Sequence, residues 1–478
     1  MKRDDGILGL AKLPSSAEEG WLRGPKKPRS NLSPRSRGGV DQQPIIGGLN
    51  QPPRLRPLRR LRGILLMGAA TPPWPRRGVR AALCFFLLLC GCRQAIPEQA
   101  TWNGTLELAE GKIILPFQME LDLRSTKPAG DFLIGNEKAP IPEITRQGNS
   151  VTFGFSEYGA EMRGAWDGSQ LKGTYVRHRA DKTTTLKFSA SPKMLLASPG
   201  GGASSPAGKY LVHFENDNRN ENATVASFWM QGDDIYGTLI APDGDYGLLV
   251  GRPAGGKIQL NRFTGWQAIA ITLEQNGGDW TGNYYFQNDK PRAFMLEPRT
   301  TLDFTPPPRL TAASRNPDAG FKFEGMSISG EMVHSSDEQF RGKPLIIDIM
   351  GTWCHNCIDS SPLLNELQQQ YGPDGLRVVG LSFEISDDPE LGKRNLKLFQ
   401  DRLGLTYTML FCGSTEDANV ESRLRTQLEN FFAYPTTLFI GRDGKVRTVH
   451  SGFKGPGTGE EFNTQVREFH TLAAELVK

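Results

Sequence analysis

The sequence predicts a multidomain protein. An N-terminal all-β region of duplicated antiparallel meanders, forming a sandwich or a barrel, is followed by a C-terminal α/β domain. Residues 101–299 contain many short alternating apolar runs separated by Gly, Asn and Asp, without a helical period. After residue 316, strand-like apolar runs alternate with segments of helical spacing. A chain of 478 residues is long enough for two or three such domains.

Residues 1–66 differ from the rest of the chain in composition. They hold 14 Lys or Arg and 5 acidic residues, with much Pro, Ser and Gly and little periodicity. Such a segment cannot bury enough apolar surface to fold, so we predict a disordered, non-native extension and expect synthesis to begin at Met67. Residues 67–91 add three Arg and no acid, which leaves residues 92–478 with a formal net charge of −8. This acidic balance gives no support for nucleic-acid binding.

Residues 67–91 have the pattern of a secretory signal, with three arginines before an apolar run that is too short to span a membrane. Residues 89–92, Leu-Cys-Gly-Cys, resemble a bacterial lipobox, which implies that Cys92 is the lipidated first residue of the mature protein. Cys90 is unusual within such a box, so cleavage at Cys90 and an uncleaved anchor stay open. Arg93 replaces the Asp that retains many lipoproteins in the inner membrane. We therefore expect a lipid-anchored protein that faces the periplasm, with sorting to the outer membrane favoured.

The all-β region contains an internal duplication. Residues 148–175 and 256–284 share Gly, Asn and aromatic positions at gaps that match to within a residue. We therefore predict two related meanders, at residues 98–190 and 208–300, each with five or six strands. They could stand as separate sandwiches or barrels or close together into one. Close association is favoured, because a single meander has an exposed face to bury.

Aromatic residues of this region have two interpretations. Trp229, Tyr246, Trp266 and Trp280 could line a ligand groove, but aromatic residues at strand spacing are more often core. The core interpretation is favoured, because no metal, phosphate or catalytic-triad pattern accompanies them. The β region is then a substrate-presenting or spacer module.

The motif Trp353-Cys354-His355-Asn356-Cys357 is the most informative segment of the chain. It follows an apolar strand at residues 343–350 and opens a helix that a Gly-Pro pair ends. Cys354 is therefore predicted at a helix N-terminus, where unpaired N–H groups and the helix dipole stabilise a thiolate. Cys357 lies one turn further and faces the same way, so it can resolve a mixed disulfide made by Cys354. The motif predicts a reversible dithiol/disulfide switch.

Further positions make residues 316–478 resemble the thioredoxin superfamily. Asp348 stands six residues before Cys354, where thioredoxins carry a buried carboxylate behind the second cysteine. Pro362 matches the proline that kinks their first helix. Tyr434-Pro435, which precedes another apolar strand, resembles the cis-proline segment that faces the disulfide.

Within the superfamily, the chain looks most like the TlpA/ResA-like membrane-anchored thiol:disulfide oxidoreductases, which insert an extra helix and strand before the cis-proline. The insert is predicted as a helix over residues 390–403, a strand over 407–411 and a helix over 416–432. The resemblance implies an enzyme without a cofactor. Its expected partners are protein dithiol or disulfide substrates and a thiol-type electron-transfer protein in the membrane.

The resemblance also implies roles for individual residues. Cys354 attacks, Cys357 resolves and Asp348 assists as a proton-transfer group, although Asp348 could also be a satisfied buried carboxylate without that role. The substrate-binding surface is assigned to three residues: Trp353, Tyr434 and Pro435.

The residues between the cysteines depart from the reductase pattern. Reductase-type members usually carry a proline just before the second cysteine, whereas this chain has His355 and Asn356. A protonated histidine beside the nucleophile would favour its thiolate and move the couple toward oxidising potentials. The resemblance predicts a reductase, and the dipeptide leaves the direction of electron flow open.

Other functions compete with this interpretation. A closed zinc site needs about four ligands, and His355 and Cys412 are the only nearby spare candidates, so no metal is predicted. Cys412 is expected to be a small buried hydrophobe. A peroxiredoxin-like peroxidase shares the fold. Its motif has a Thr or Ser one turn before the reactive cysteine and a Pro further upstream, and Thr352 and Pro344 match this motif only loosely. The third alternative is a binding protein in which the β domains carry the function and the redox domain is vestigial.

Overall fold

The computed structural model of the chain describes residues 95–178, 182–192, 205–215, 224–253, 256–303 and 312–478. The predicted N-terminal extension, the signal segment and Cys92 lie outside these residues. The predicted fold class is confirmed within them: antiparallel β-sheets come first, and an α/β thioredoxin-like domain follows.

The first part of the β region is an open antiparallel sheet, which we call the half-barrel. Its nine strands within described residues 98–192 are β1 (Gln99–Leu108), β2 (Ile113–Asp122), β3 (Ala129–Ile134), β4 (Glu137–Pro140), β5 (Glu143–Gln147), β6 (Ser150–Phe155), β7 (Ala160–Trp166), β8 (Leu171–His178) and β9 (Thr183–Ser191). The last strand, β9, returns to pair with β1, and β4 and β5 form the two open edges.

The second part is a closed sheet, which we call the barrel. Its nine strands within the described residues between 205 and 303 are β10 (Gly208–Phe214), β11 (Val225–Gln231), β12 (Asp234–Ala241), β13 (Gly244–Asp245), β14 (Leu249–Gly251), β15 (Ile258–Phe263), β16 (Ala268–Asn276), β17 (Asp279–Phe286) and β18 (Arg292–Arg299). Strand β11 pairs with both β10 and β12, and this pairing closes the barrel. The short β13 pairs antiparallel with the C-terminal end of β12.

Strand β16 is apolar on both faces because each face is buried against a different layer. Its inward side chains belong to the core of the barrel: Ile269, Ile271 and Leu273. The outward Ala268 and Ala270 belong to the core shared with the half-barrel. The small alanine side chains allow the half-barrel to approach the outer wall of the barrel closely.

Phe263, at the end of β15, joins the two sheets. Its ring centroid lies 5.1 Å from that of Phe117 and 4.6 Å from that of Phe132, both in the half-barrel. The ring of Tyr175 is 6.0 Å away. The half-barrel thus buries its apolar face on the barrel, which is the close association that the sequence favours.

The α/β domain is a mixed sheet with helices packed on it. The elements within described residues 312–478 are β19 (Ala313–Ser314), β20 (Glu324–Ser327), β21 (Met332–His334), β22 (Leu345–Met350), α1 (His355–Tyr371), β23 (Arg377–Glu384), α2 (Pro389–Leu403), β24 (Thr408–Ser414), α3 (Asp417–Val420), β25 (Leu428–Glu429), β26 (Thr436–Ile440), β27 (Val446–Ser451) and α4 (Glu460–Val477). The strand order is β21-β20-β24-β23-β22-β26-β27, with β22, β23 and β24 parallel. The central strand β22 places its C-terminal end, and hence the Cys-x-x-Cys segment, at the edge where α1 begins.

Two sequence expectations are wrong. Each meander has nine strands within the described residues rather than five or six, in part because β4, β13 and β14 are too short for an alternating pattern to show. The predicted helix over residues 416–432 ends early: α3 passes into one π-helical turn, Glu421–Arg425, and β25 then pairs with β19. The pairing with a distant strand overrides the local helical spacing.

Helix α2 has a side-chain cap whose contribution can be measured. Asp388 accepts hydrogen bonds from the backbone N–H groups of Glu390 and Leu391, at 2.9 and 3.4 Å. We expect Asp388→Ala to lower the free energy of unfolding by about 1 kcal/mol, the usual cost of losing such a cap. Urea unfolding of the reduced protein measures this change. Asp388→Asn is the matched control, because its amide oxygen can still accept these bonds, and an equal loss in both variants would contradict the capping role.

Candidate active site

Cys354 occupies the N-cap position of α1, with an extended backbone (φ −89°, ψ 121°). Its Sγ accepts a hydrogen bond from the backbone N–H of Cys357 at 3.2 Å. As a thiol, it can also donate to the carbonyl oxygen of Tyr434 at 3.3 Å. The helix N-terminus favours a thiolate at this position. Both cysteines of the motif are reduced and buried, with Cys354 1% exposed.

Cys357 lies one turn into α1 and is held as a neutral thiol. Burial raises its pKa well above the usual value, and the hydrogen bond and charge of Cys354 and the charge of Asp348 raise it further. Cys357 therefore needs a proton acceptor before it can attack a mixed disulfide.

Asp348, which lies behind Cys357, has a carboxyl group whose pKa suits it to accept the proton of the Cys357 thiol. Its carboxyl group lies on β22, and Oδ1 accepts a hydrogen bond from Thr437 Oγ1 at 3.1 Å. Burial raises the pKa of Asp348 to about 7. A carboxyl group that titrates near neutral pH can accept a proton from a thiol and return it later. The structure thus brings together the three predicted catalytic residues.

The peptide bond between Tyr434 and Pro435 is cis, as the resemblance implies. The Tyr434 ring packs edge-on against Trp353, with centroids 5.4 Å apart. The indole Nε1 of Trp353 donates a hydrogen bond to Phe383 O at 2.9 Å. Both aromatic side chains are buried, so neither is open to a substrate chain in this arrangement.

His355 and Asn356 face the β region. The His355 ring stacks on Trp266 of the barrel, with centroids 6.1 Å apart and planes inclined by 29°. A Cβ atom built on Gly244 would lie 1.9 Å from Asn356 Nδ2, so the barrel backbone touches this side chain. Burial, and then the charge of Arg262, lowers the pKa of His355 to about 3. The imidazole is therefore neutral at neutral pH in this arrangement, and the condition under which His355 would favour the thiolate is not met.

The half-barrel also reaches the dithiol, through Tyr158 in the turn after β6. The Tyr158 ring lies 5.9 Å from that of Trp266. Burial, and also the charges of Glu157 and Cys354, raise the pKa of Tyr158, so its phenol and the Cys354 sulfur interact electrostatically. Glu157 forms a largely buried ion pair with Arg402 of α2 at 2.9 Å. This pair ties the half-barrel to the α/β domain beside the site.

A buried carboxylate, Glu384, orders the turn before Cys354. It accepts hydrogen bonds from the backbone N–H and the hydroxyl of Thr352, at 3.1 and 2.7 Å. Asn395 Nδ2 donates to the same carboxylate at 3.3 Å. Sequence reasoning missed this residue, although an acidic residue that ends an otherwise apolar buried strand was a visible signal.

Cys412 lies on β24, apart from the dithiol. Its thiol can donate to Glu324 O at 3.5 Å, and burial raises its pKa to about 12. Cys412 is therefore a neutral buried thiol, and its burial agrees with the expectation of a small buried hydrophobe.

Among the residues that the structure describes, no group of three or more His, Cys, Asp or Glu side chains is placed to hold a metal ion. None of the helices in the described ranges is long and apolar enough to cross a membrane.

Residues 318–449 match the model of the AhpC/TSA family. The thioredoxin-like protein YneN of Bacillus subtilis (strain 168) is 30% identical over 132 residues, which are 27% of this chain and 68% of YneN. The thiol:disulfide interchange protein DsbE of Escherichia coli (strain K12) is 30% identical over 142 residues, 30% of this chain and 66% of DsbE. The thiol-disulfide oxidoreductase ResA of Geobacillus thermodenitrificans (strain NG80-2) is 27% identical over 113 residues, 24% of this chain and 57% of ResA. The chain thus spans between about half and two thirds of these relatives.

Proposed function

Because the chain belongs to the thioredoxin superfamily and is TlpA/ResA-like, we propose that it is a protein thiol:disulfide reductase that acts outside the cytoplasm on a lipid tether. The observation that carries the proposal is the arrangement at Cys354. Its sulfur caps a helix, Cys357 follows one turn later, and the carbonyl of the cis Tyr434–Pro435 bond lies 3.3 Å away. These groups supply a nucleophile, a resolving thiol and the edge of a substrate groove.

The proposed cycle moves two electrons and two protons. The Cys354 thiolate attacks one sulfur of a substrate disulfide, and the other substrate sulfur leaves as a thiolate that takes a proton from water. Cys357 gives its proton to Asp348 and attacks the Cys354 sulfur. The second substrate sulfur leaves and takes the proton from Asp348, so a substrate dithiol and a Cys354–Cys357 disulfide remain. A thiol-type membrane partner then returns two electrons and two protons to this disulfide.

The neutral state of His355 supports the reducing direction. A positive charge beside Cys354 would stabilise the dithiol form and make the couple oxidising. Burial against Trp266 removes that charge at neutral pH, because it lowers the pKa of His355 to about 3. While Trp266 covers His355, the main electrostatic reason to expect an oxidase is therefore absent.

The proposed location depends on the sequence alone. The secretory pattern of residues 67–91 and the lipobox-like residues 89–92 support export and lipidation at Cys92. An exported reductase needs a supply of electrons across the membrane, and this requirement is the reason to propose a membrane thiol partner. Loss of membrane association in Cys92→Ala would support the anchor.

The alternatives have less support. In a peroxidase, a Thr or Ser hydroxyl near the cysteine would be available to the peroxide, but the Thr352 hydroxyl donates to Glu384 instead. A ligand groove in the β region would need accessible aromatic residues. Tyr246 and Trp280 lie in the barrel core, and Trp266 is buried against His355. Trp229 is half-buried, and its ring stacks on that of Tyr236.

Insulin and hydrogen peroxide distinguish these functions. We expect each pre-reduced full-length chain to reduce one insulin disulfide. The chain should form a Cys354–Cys357 disulfide in the same reaction, which peptide mapping identifies. A reduction potential near −270 mV, typical of thioredoxin, is expected rather than the value near −120 mV of a strong oxidant. Cys412→Ser is the control and should behave like the wild type. Oxidation by peroxide that outpaces oxidation by insulin would instead support a peroxidase.

A further inference from the structure

Residues of the β region cover the buried redox dithiol on one side. Gly244 and Trp266 contact the Cys-x-x-Cys segment, and Tyr158 packs against Trp266. We call these residues, together with Asp245, the cap. Cys354 is only 1% exposed beneath it. A substrate sulfur must come within bonding distance of Cys354 Sγ, so no protein disulfide can react while the cap is in place.

The cap lies against the backbone that follows β27, the strand that pairs with β26 after the cis-proline. Asp245 accepts hydrogen bonds from the N–H groups of Gly455 and Gly247. A Cβ atom built on Gly452 would lie 2.5 Å from the carbonyl carbon of Asp243, so the two chains pass in direct contact. Gly452 N also donates to Pro435 O at 2.8 Å. The barrel loop at residues 243–247 thus borders the surface assigned to the substrate.

The contact also contains groups that favour its separation. A Cβ atom built on Gly455 would lie 2.4 Å from Asp359 Oδ2 and 3.1 Å from Asp245 Oδ2, so two carboxyl groups flank the same backbone. Burial, and then the charge of Asp245, raises the pKa of Asp359. A junction that buries two acids is weaker than an apolar junction of the same area.

We propose that the cap holds the dithiol in a closed, unreactive state. The redox cycle then runs through an open state, in which residues 243–247 and Trp266 have moved away and an extended substrate polypeptide binds next to Cys354. This inference deepens the proposed function and depends on it for the identity of the substrate. The closed state then sets how often the reduced dithiol meets a substrate or any other oxidant.

Alkylation of the pre-reduced full-length chain by iodoacetamide, followed by peptide mass spectrometry, tests the cap. Gly244→Ala adds a methyl group that overlaps Asn356 and lies 2.9 Å from Phe453 O. The control is Gly232→Ala, because Gly232 also has positive φ on the barrel but has open space around it. We expect Cys354 in Gly244→Ala to react roughly tenfold faster or more than in the other two chains, which corresponds to a shift of about 1.4 kcal/mol in the open–closed equilibrium.

Cys412 provides an internal standard, because it is buried in the α/β domain away from the cap. Its alkylation should stay slow and equal in the three chains. Equal rates for Cys354 in all of them, or acceleration of Cys412 together with Cys354, would overturn the cap. Insulin reduction on the same samples separates the two proposals: faster alkylation without any insulin reduction refutes the reductase alone, and equal alkylation with full insulin reduction refutes the cap alone.

Discussion

Replacement of Cys354 by Ser is expected to reduce protein-disulfide reduction to the background rate of the dithiothreitol that drives the assay. Removal of the nucleophile alone costs on the order of 10⁶ in a well-studied hydrolase, so the loss should be limited only by that background. The physical reason is that a thiolate at the N-terminus of α1 is the attacking species, and a serine hydroxyl at the same position stays protonated. Turbidity from reduced insulin measures the effect.

Replacement of Cys357 by Ser should fail in a different way. Cys354 can still attack, but nothing resolves the product, so a mixed disulfide between Cys354 and the substrate should accumulate on non-reducing gels. Cys412→Ser is again the matched control, because Cys412 is a buried thiol outside the site. Retained turnover in Cys354→Ser, or a trapped adduct on Cys412, would show that the motif is not the redox centre.

The parts of the site that could be predicted are those encoded by local spacing. The apolar strand before Trp353 and the helix after Cys354 each carry a pattern a few residues long, and these patterns predicted the N-cap cysteine. The cis bond at Tyr434-Pro435 was predicted from the resemblance to thioredoxins. Asp348 could be placed because it stands six residues before Cys354, where thioredoxins carry a buried carboxylate. The resemblance then supplied the roles.

The cap could not be predicted, because it depends on contacts between distant segments. Trp266 was recognised as a buried aromatic, but hydrophobic patterning shows that a side chain is buried and not what it is buried against. Gly244 carries no pattern of its own, and only the folded chain places it on Asn356. The same limit explains the helix predicted over residues 416–432, where pairing of β25 with β19 decides the outcome. The neutral state of His355 follows from its burial against Trp266, so it could not be predicted from the sequence either.

Asp348 makes the stability of this protein depend on pH in a direction opposite to that of a salt-bridged carboxylate. Its pKa is raised from 3.8 to about 7 in the folded chain, chiefly by burial, and no described residue donates a hydrogen bond to Oδ2. Below about pH 4 the carboxyl group is protonated in both the folded and the unfolded chain, so it does not lower the free energy of unfolding. Between about pH 4 and pH 7 the unfolded chain loses this proton while the folded chain keeps it, so stability falls as pH rises. Above pH 7 both states are ionised and the loss is complete.

Asp348→Asn should remove this dependence. At 1.36 kcal/mol per pKa unit, the free energy of unfolding of the variant should gain roughly 4 kcal/mol relative to wild type between pH 4 and pH 8. The same variant should resolve mixed disulfides roughly a hundredfold more slowly, the lower end of what a proton-transfer group contributes, because Cys357 loses its acceptor. Urea unfolding in reducing buffer across this pH range measures the first effect, and release of substrate from the Cys354 adduct measures the second. The exposed Glu475→Gln is the control and should change neither. A variant that tracks the wild type at every pH would mean that Asp348 is ionised in the folded state at no cost, and it could not then serve as the proton acceptor for Cys357.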